Sequence, residues 1–270
     1  MVEWRVYGCG SPSSSRSTQT SYEIADGHTH LQIDLGHGAL YRRCLREGSI
    51  ERAVNSIQNL LITHCHPDHC FDLSRLYVSW MFTPQFTPQQ RVSLYATEET
   101  LTSIRRMMEN IRLEGRFDSV YEIHPIEYEK PISIGEFSVI PKKNHHIDGS
   151  CGVFVLTPSG KRIVFTSDTG YREDLIADWK DADLLVLECS FVDLETPYHL
   201  HLGQAAEIAE AIHPECLMLV HFYPDMERKP EGEIRAQISR RYPGQVFLGR
   251  DGLSLRWDAD QKKWIDAMMF

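Results

Sequence analysis

The sequence has no apolar run approaching the roughly 18 residues that a membrane-spanning helix needs. Its opening residues, MVEWRVYGCG, lack the charged, apolar and small segments of a secretion signal. These two absences predict a cytoplasmic protein that does not enter a membrane. No two of the seven cysteines (Cys9, Cys44, Cys65, Cys70, Cys151, Cys189 and Cys216) form a C-x-x-C pair, and their number is odd. That pattern argues against a disulfide framework and for reduced thiols. Basic residues are also short, with 28 Lys and Arg against 38 Asp and Glu, a net charge of −10. A protein that grips nucleic acid through its phosphates carries basic patches. The balance therefore points to a small-molecule substrate and away from a large RNA or DNA. No repeat, low-complexity tract or long linker divides the 270 residues, and one domain over residues 1–270 is expected. A homodimer is compatible with these features.

Short apolar runs alternate with helical patterns. The runs predict strands over Trp4–Tyr7, Tyr22–Ile24, Leu31–Asp34, Asn59–Thr63, Arg91–Tyr95 and Phe137–Pro141. Further strands are expected over Gly152–Leu156, Arg162–Thr166, Leu184–Glu188, Leu217–Val220 and Gln245–Leu248. Helical periodicity covers Ala39–Glu47, Asp72–Trp80, Glu98–Leu113, Gln204–Ile212 and Gly232–Arg241. In the Gln204 segment, Ala205, Ile208, Ala209 and Ile212 form one stripe, as in a helix lying on a sheet. Many strands with few, spaced helices predict an α+β fold, an αββα sandwich of two packed sheets with helices outside. The Gly8-Cys9-Gly10 element lacks the third glycine and following helix of a dinucleotide fingerprint, so it reads as a turn before the Ser-rich stretch Ser11–Ser21.

The apolar run Leu60-Leu61-Ile62-Thr63 ends in His64-Cys65-His66-Pro67-Asp68-His69. Four imidazole or carboxylate groups within six residues at a strand end suit zinc and other first-row divalent ions. Alternate residues of an extended segment face one way, so His64 and His66 can share one ion. The turn at Pro67 re-aims Asp68 and His69 toward another. Cys65 and Cys70 flank the motif and read as small buried fillers.

This H-x-H-x-D-H run resembles the signature of the metallo-β-lactamase superfamily, and the resemblance extends along the chain. Ile33-Asp34-Leu35-Gly36-His37-Gly38 is similar to the family's strand-to-turn element, with Asp34 as support for the metal site. The resemblance then implies a His, an Asp and a final His past successive strands. These fall at His146, at Asp168 in Ser167-Asp168-Thr169-Gly170, and at His221. His145 competes with His146, and the family's spacing to Gly152 favours His146, leaving His145 as a supporting or loop residue. The pattern implies two divalent ions, zinc foremost with manganese or iron as alternatives. One ion would be held by His64, His66 and His146, the other by Asp68, His69 and His221, with Asp168 shared. Such a pair supplies hydroxide near neutral pH and clamps an anionic oxygen.

Two further segments resemble the ribonuclease Z and small-molecule phosphodiesterase branch. Asp183-Leu184-Leu185-Val186-Leu187-Glu188 ends a strand in an acid, and His199-Leu200-His201-Leu202-Gly203-Gln204 precedes a helix. In that branch an acid and a His pass a proton to the leaving oxygen, which departs poorly without one. Counting back from Ala205 gives His199 that position, with His201 as the fallback. Asp68, Glu188 and His199 are thus the candidate catalytic residues. Ribonuclease Z has a His where Leu187 stands, and it carries a long tRNA-gripping arm between the metal-binding His and the shared Asp. Here the two are 22 positions apart (168 − 146), with room for one hairpin turning at Pro158-Ser159-Gly160. The expected activity is hydrolysis of a small, cyclic or nucleotide-like phosphodiester. The alternatives are tRNA 3′ processing, lactone or thioester hydrolysis, and a metal- or nucleotide-binding sensor. Substrate-pocket walls are expected from Ser11–Ser21, from Trp80–Gln90 (Met81, Phe82, Pro84, Phe86, Pro88) and from Phe222–Lys229.

Overall fold

Leu60, Leu61 and Ile62 are all buried, yet they serve two different cores: Leu61 points between the sheets, and Leu60 and Ile62 point outward under helices. A strand covered on both faces reads as an unbroken apolar run, and that is why the pattern before the metal motif shows no alternation. The computed structural model describes residues 1–82 and 91–268. Its strands are β1 (Val2–Gly8), β2 (Ser21–Asp26), β3 (Thr29–Ile33), β4 (Asn59–Leu61), β5 (Val92–Thr97) and β6 (Tyr121–Ile126). They continue as β7 (Ile132–Ile134), β8 (Phe137–Lys143), β9 (Cys151–Leu156), β10 (Arg162–Phe165), β11 (Leu184–Glu188), β12 (Cys216–Val220) and β13 (Gln245–Leu248). The last two are β14 (Ser254–Asp258) and β15 (Lys263–Asp266).

They form two mixed sheets, ordered β15-β14-β1-β2-β3-β4-β5-β6 and β13-β12-β11-β10-β9-β8-β7. Trp4, Tyr22 and Phe165 clasp the two sheets, with Tyr22 centred 5.0 Å from Trp4 and 4.9 Å from Phe165. Helices α1 (Ala39–Glu47), α2 (Ile50–Asn55), α3 (Pro67–Cys70), α4 (Asp72–Phe82), α5 (Glu98–Asn110) and α6 (Phe117–Val120) belong to the first half of the chain. Leu40, Leu73, Leu76 and Ile104 cover the outer face of the first sheet. Helices α7 (Leu175–Trp179), α8 (Leu202–Ile212), α9 (Pro224–Arg228) and α10 (Glu231–Ser239) follow, and Trp179, Ala205, Ile208 and Ile238 cover the second. This is the expected αββα sandwich. No helix among the described residues is long and apolar enough to cross a membrane.

The four strands that sequence patterning did not anticipate are β6, β7, β14 and β15. Three of them, β6, β7 and β15, are sheet edges with little apolar alternation, and Pro125 inside β6 is tolerated because an edge strand need not donate on both sides. The Asn59–Thr63 and Arg162–Thr166 strands end two and one residues early, because Thr63 and Thr166 already belong to the loops that carry the site.

The strand directions matter most for the site. β3, β4 and β5 run parallel in one sheet, and β10, β11, β12 and β13 run parallel in the other. Their carboxyl ends therefore open at one rim, the usual location of ligand sites in parallel sheets. Asp34 follows β3, His64 follows β4, Asp168 follows β10, Glu188 ends β11 and His221 follows β12.

Candidate active site

Three residues at that rim adopt the left-handed backbone region without being glycine: Asp34 (φ 57°), Ser167 (φ 52°) and His221 (φ 64°). Each stands at or next to a strand end, and each conformation costs on the order of 1–3 kcal/mol unless its surroundings enforce it. Here hydrogen bonds do so. Asp34 Oδ1 accepts from the Thr63 N–H at 2.7 Å, and its Oδ2 accepts from Thr63 Oγ1 at 2.8 Å. Ser167 Oγ lies 2.8 Å from Thr63 Oγ1, and the His221 N–H donates to the Cys9 carbonyl at 2.8 Å. Gly36 lies against the peptide of Asp68, where a Cβ would come within 2.1 Å of the Asp68 carbonyl oxygen, so no side chain fits.

Seven side chains converge from these loops in two overlapping groups. His64, His66, His146 and Asp168 form one, and Asp68, His69, Asp168 and His221 the other, with the donor atoms of each group within 4.8 Å of one another. Asp168 belongs to both. His66 Nδ1 lies 3.2 Å from His64 Nε2 and 3.0 Å from His146 Nε2. Among the described residues the buried His69 Nε2 has no hydrogen-bond partner, yet it stands 3.4 Å from Asp168 Oδ1 and 3.6 Å from Asp68 Oδ2. A buried orphan nitrogen aimed at two carboxylates, beside three imidazole nitrogens facing one point, fits divalent cations bound by nitrogen and oxygen.

The outward-facing nitrogens are held by acceptors, which fixes the inward ones for a cation. His69 Nδ1 donates to Asp34 Oδ2 at 2.7 Å, and His146 Nδ1 to the Tyr198 carbonyl at 3.1 Å. Electrostatics divides the imidazoles. Burial opposes protonation of His69, but Asp168, Asp68 and Asp34 outweigh it and raise its pKa well above the usual value. Burial and the neighbouring imidazoles push His64 well below the usual value, despite Asp168. Burial likewise lowers His146 to about 4. Asp168 resists the effect of its own burial, since His221, His69 and His64 hold it well below the carboxylate range.

Glu188 and His199 adjoin this cluster. Glu188 is fully buried, and its Oε1 accepts from the Thr169 N–H at 2.8 Å and from His199 Nδ1 at 3.1 Å. The His199 ring lies 4.9 Å from that of His146 and stacks 5.4 Å from that of His221, between the two groups. His201 is elsewhere. Its side chain accepts from the Gly203 N–H while Gln204 caps its own N–H, so it closes the start of α8. His145 is exposed and stays outside the cluster, tied into the loop by its main chain. Asp34 supports His69 as described.

Sequence reasoning did not identify Ser190, Thr63 or the Tyr198 carbonyl. A hydroxyl or carbonyl that serves a ligand leaves no spacing signature, although Ser190 does follow Glu188 by two positions. Ser11–Ser21 and Phe222–Lys229 face each other across a cavity of about 280 Å³ lined by Gly10, Arg16, Ser17, Phe222, Met226 and Glu227. Trp80, Met81 and Phe82 continue α4, and Pro84, Phe86 and Pro88 lie outside the described residues. Only one hairpin, β9–β10, separates His146 from Asp168.

The profile of the family described as anti-Pycsar protein Apyc1 matches residues 2–242. Ribonuclease Z from Mycobacterium sp. (strain KMS) is 28% identical over 283 residues, covering 93% of this chain and 94% of that protein. Among solved structures, the metallo-β-lactamase fold protein YhfI from Bacillus subtilis superimposes with a TM-score of 0.80 at 18% identity, covering 94% of this chain and 98% of YhfI. A diphosphatase from the PhnP family gives 0.73 at 21% identity, covering 96% and 98%. The fold is that of the metallo-β-lactamases.

Proposed function

The chain belongs to the anti-Pycsar protein Apyc1 family, and from that premise we propose that it is a metal-dependent phosphodiesterase acting on a small, cyclic or nucleotide-like phosphodiester. The carrying observation is the Glu188–His199 pair set against the His/Asp cluster, with His199 Nδ1 4.0 Å from Asp168 Oδ2. A thioester expels a thiolate, which departs without a proton donor far more readily than the alkoxide of a phosphodiester does. Two of the similar proteins, a ribonuclease and a diphosphatase, bear names of activities at phosphorus.

In this reading His64, His66 and His146 would hold one divalent ion and Asp68, His69 and His221 a second, with Asp168 available to either group. When bound, such ions polarise a phosphoryl oxygen and acidify water. The rest of the work falls to the protein. Asp34 and the Tyr198 carbonyl orient His69 and His146. Asp68, besides holding an ion, orients the attacking water with its carboxylate. The water gives one proton to the Asp68 carboxylate as its oxygen bonds to phosphorus, the bond to the ester oxygen breaks, and its electron pair stays on that oxygen. His199, with Nδ1–H engaged by Glu188, gives it the proton from Nε2. The products are a phosphomonoester and an alcohol, both carried on one molecule where the substrate is cyclic.

The short β9–β10 connection and the net charge of −10 favour a small substrate over tRNA. A panel of aryl and cyclic-nucleotide phosphodiesters, a lactone, a thioester and a tRNA precursor, offered to zinc- or manganese-loaded protein, tests the reading. Turnover is expected for the small phosphodiesters. Efficient lactone or thioester hydrolysis with no phosphodiester turnover would overturn it.

A further inference from the structure

Ser190 joins the acid–His pair to the cation cluster through one hydroxyl. It is fully buried two residues past Glu188, and its Oγ lies 2.7 Å from Glu188 Oε2 and 3.0 Å from His221 Nδ1. A hydroxyl has a single hydrogen to give, so the direction of these two bonds is a question of chemistry.

The surroundings of Glu188 answer it. Thr169 N–H reaches Oε1 at 2.8 Å and Leu200 N–H reaches Oε2 at 3.2 Å, and a backbone N–H can only donate. His199 Nδ1 is a third nitrogen on the same carboxylate at 3.1 Å. Glu188 is thus held as an acceptor, and the Ser190 hydrogen points to it. Ser190 Oγ then has only lone pairs left for His221, whose Nδ1 must carry the hydrogen. The other ring nitrogen, His221 Nε2, is left bare, 3.2 Å from Asp68 Oδ2 and 3.4 Å from Asp168 Oδ2.

We propose that Ser190 is the positioning residue that fixes His221 with Nδ1–H outward and Nε2 toward the second cation, its direction being set by Glu188. His69 and His146 are oriented by a carboxylate and a carbonyl, acceptors that cannot reverse. A lone hydroxyl can reverse, and the Glu188 contact removes that freedom. Glu188 therefore serves both His199, directly, and His221, through Ser190. The inference rests on the reading of the cluster as a two-cation site, not on the identity of the substrate.

The test uses the full chain loaded with zinc, compared as wild type, Ser190→Ala and Ser190→Thr. Competition with a chelator should show one zinc equivalent losing about 10–100-fold in affinity in Ser190→Ala, the usual effect of removing a partner of a metal-bound imidazole. The other equivalent should stay unchanged, and Ser190→Thr should restore both. In ¹⁵N-histidine-labelled protein, a hydrogen-bonded Nδ1–H resonance, assigned to His221 by its loss in His221→Gln, should be present in wild type and Ser190→Thr and lost in Ser190→Ala. Absence of that resonance from wild type, or unchanged affinity of both zinc equivalents in Ser190→Ala, overturns the proposal. Equal weakening of both equivalents also overturns it, since that marks general damage. Protein that binds two zinc ions with these differences but cleaves no phosphodiester leaves the Ser190 role standing and sinks only the substrate reading.

Discussion

His199 Nδ1 sits 3.1 Å from Glu188 Oε1, and a buried carboxylate in that position does two things to the imidazole. It fixes the ring so that Nε2 is the nitrogen with a proton to give, and it favours the charged form. If His199 protonates the leaving oxygen, His199→Ala should retain its metal content while losing about 10²–10⁴-fold in rate on substrates with poor leaving groups. On a nitrophenyl phosphodiester, whose leaving group departs unprotonated, the loss should be much smaller. Steady-state rates on the two substrate types, with metal analysis of each preparation, provide the check. Equal losses on both would reduce His199 to a binding role.

The same pair predicts a pH dependence. Burial alone would disfavour the charged imidazolium, but Glu188, by charge and hydrogen bond, and then Asp168 outweigh it and raise His199 to about 9. A raised pKa keeps the donor protonated at neutral pH, and the donor is lost as pH rises through that value. The rate on poor-leaving-group substrates should therefore carry an alkaline limb that nitrophenyl substrates lack. Glu188→Gln removes the main raising influence, so its limb should move to lower pH. A limb unchanged in position in Glu188→Gln would assign it to some other group.

Asp168 takes part in both cation groups, whereas Asp34 is hydrogen-bonded, of the seven cluster residues, to His69. Asp168→Ala should accordingly weaken both metal equivalents, and Asp34→Ala chiefly the one that His69 serves, by about 10–100-fold. Metal stoichiometry after dialysis against a graded chelator series distinguishes the two patterns. An Asp168→Ala protein with full metal content and activity would remove that residue from the site.

How much of this was legible in the sequence depends on whether a residue's role lies in its own type or in its partner. His64, His66, Asp68 and His69 announce themselves, because four such groups in six residues have no ordinary core role. Asp168 and His221 came from the family resemblance, which the apolar runs before them supported by placing each just past a strand. His146 and His199 needed the family resemblance to be preferred to His145 and His201, and the structure supplies the physical difference. His201 caps α8, a role that a histidine seldom takes and that the surrounding sequence does not signal. Ser190 and Thr63 were not legible at all, since their importance is a matter of which lone pair faces which proton. The same holds for β6, β7 and β15, whose apolar faces are too short or too exposed to produce a pattern.

Glu23 is a buried charge that belongs to neither cation group. It is 2% exposed, and its carboxylate contacts Arg5 Nη1 at 2.6 Å, His30 Nδ1 at 2.6 Å and the Tyr7 hydroxyl at 2.9 Å. Arg43, itself 2% exposed, completes the group at 2.5 Å. Burial works against the charge, but Arg43, His30, Arg5 and Arg46 together hold the carboxyl well below its usual range. Removing the carboxylate leaves Arg43 buried without its counter-charge, so Glu23→Ala should lose about 3–5 kcal/mol of stability, the range for breaking one side of a buried pair. The sign of the pH effect follows from the depressed pKa. The unfolded chain takes up the proton near its ordinary value of about 4.3, whereas the folded chain resists it to lower pH. Glu23 therefore stabilises the fold fully above that value, and its contribution fades as pH falls toward the folded pKa. Urea unfolding at neutral and at acidic pH should show the gap between wild type and Glu23→Ala narrowing with acid. A gap that stays constant or widens would mean that packing and not charge accounts for the loss.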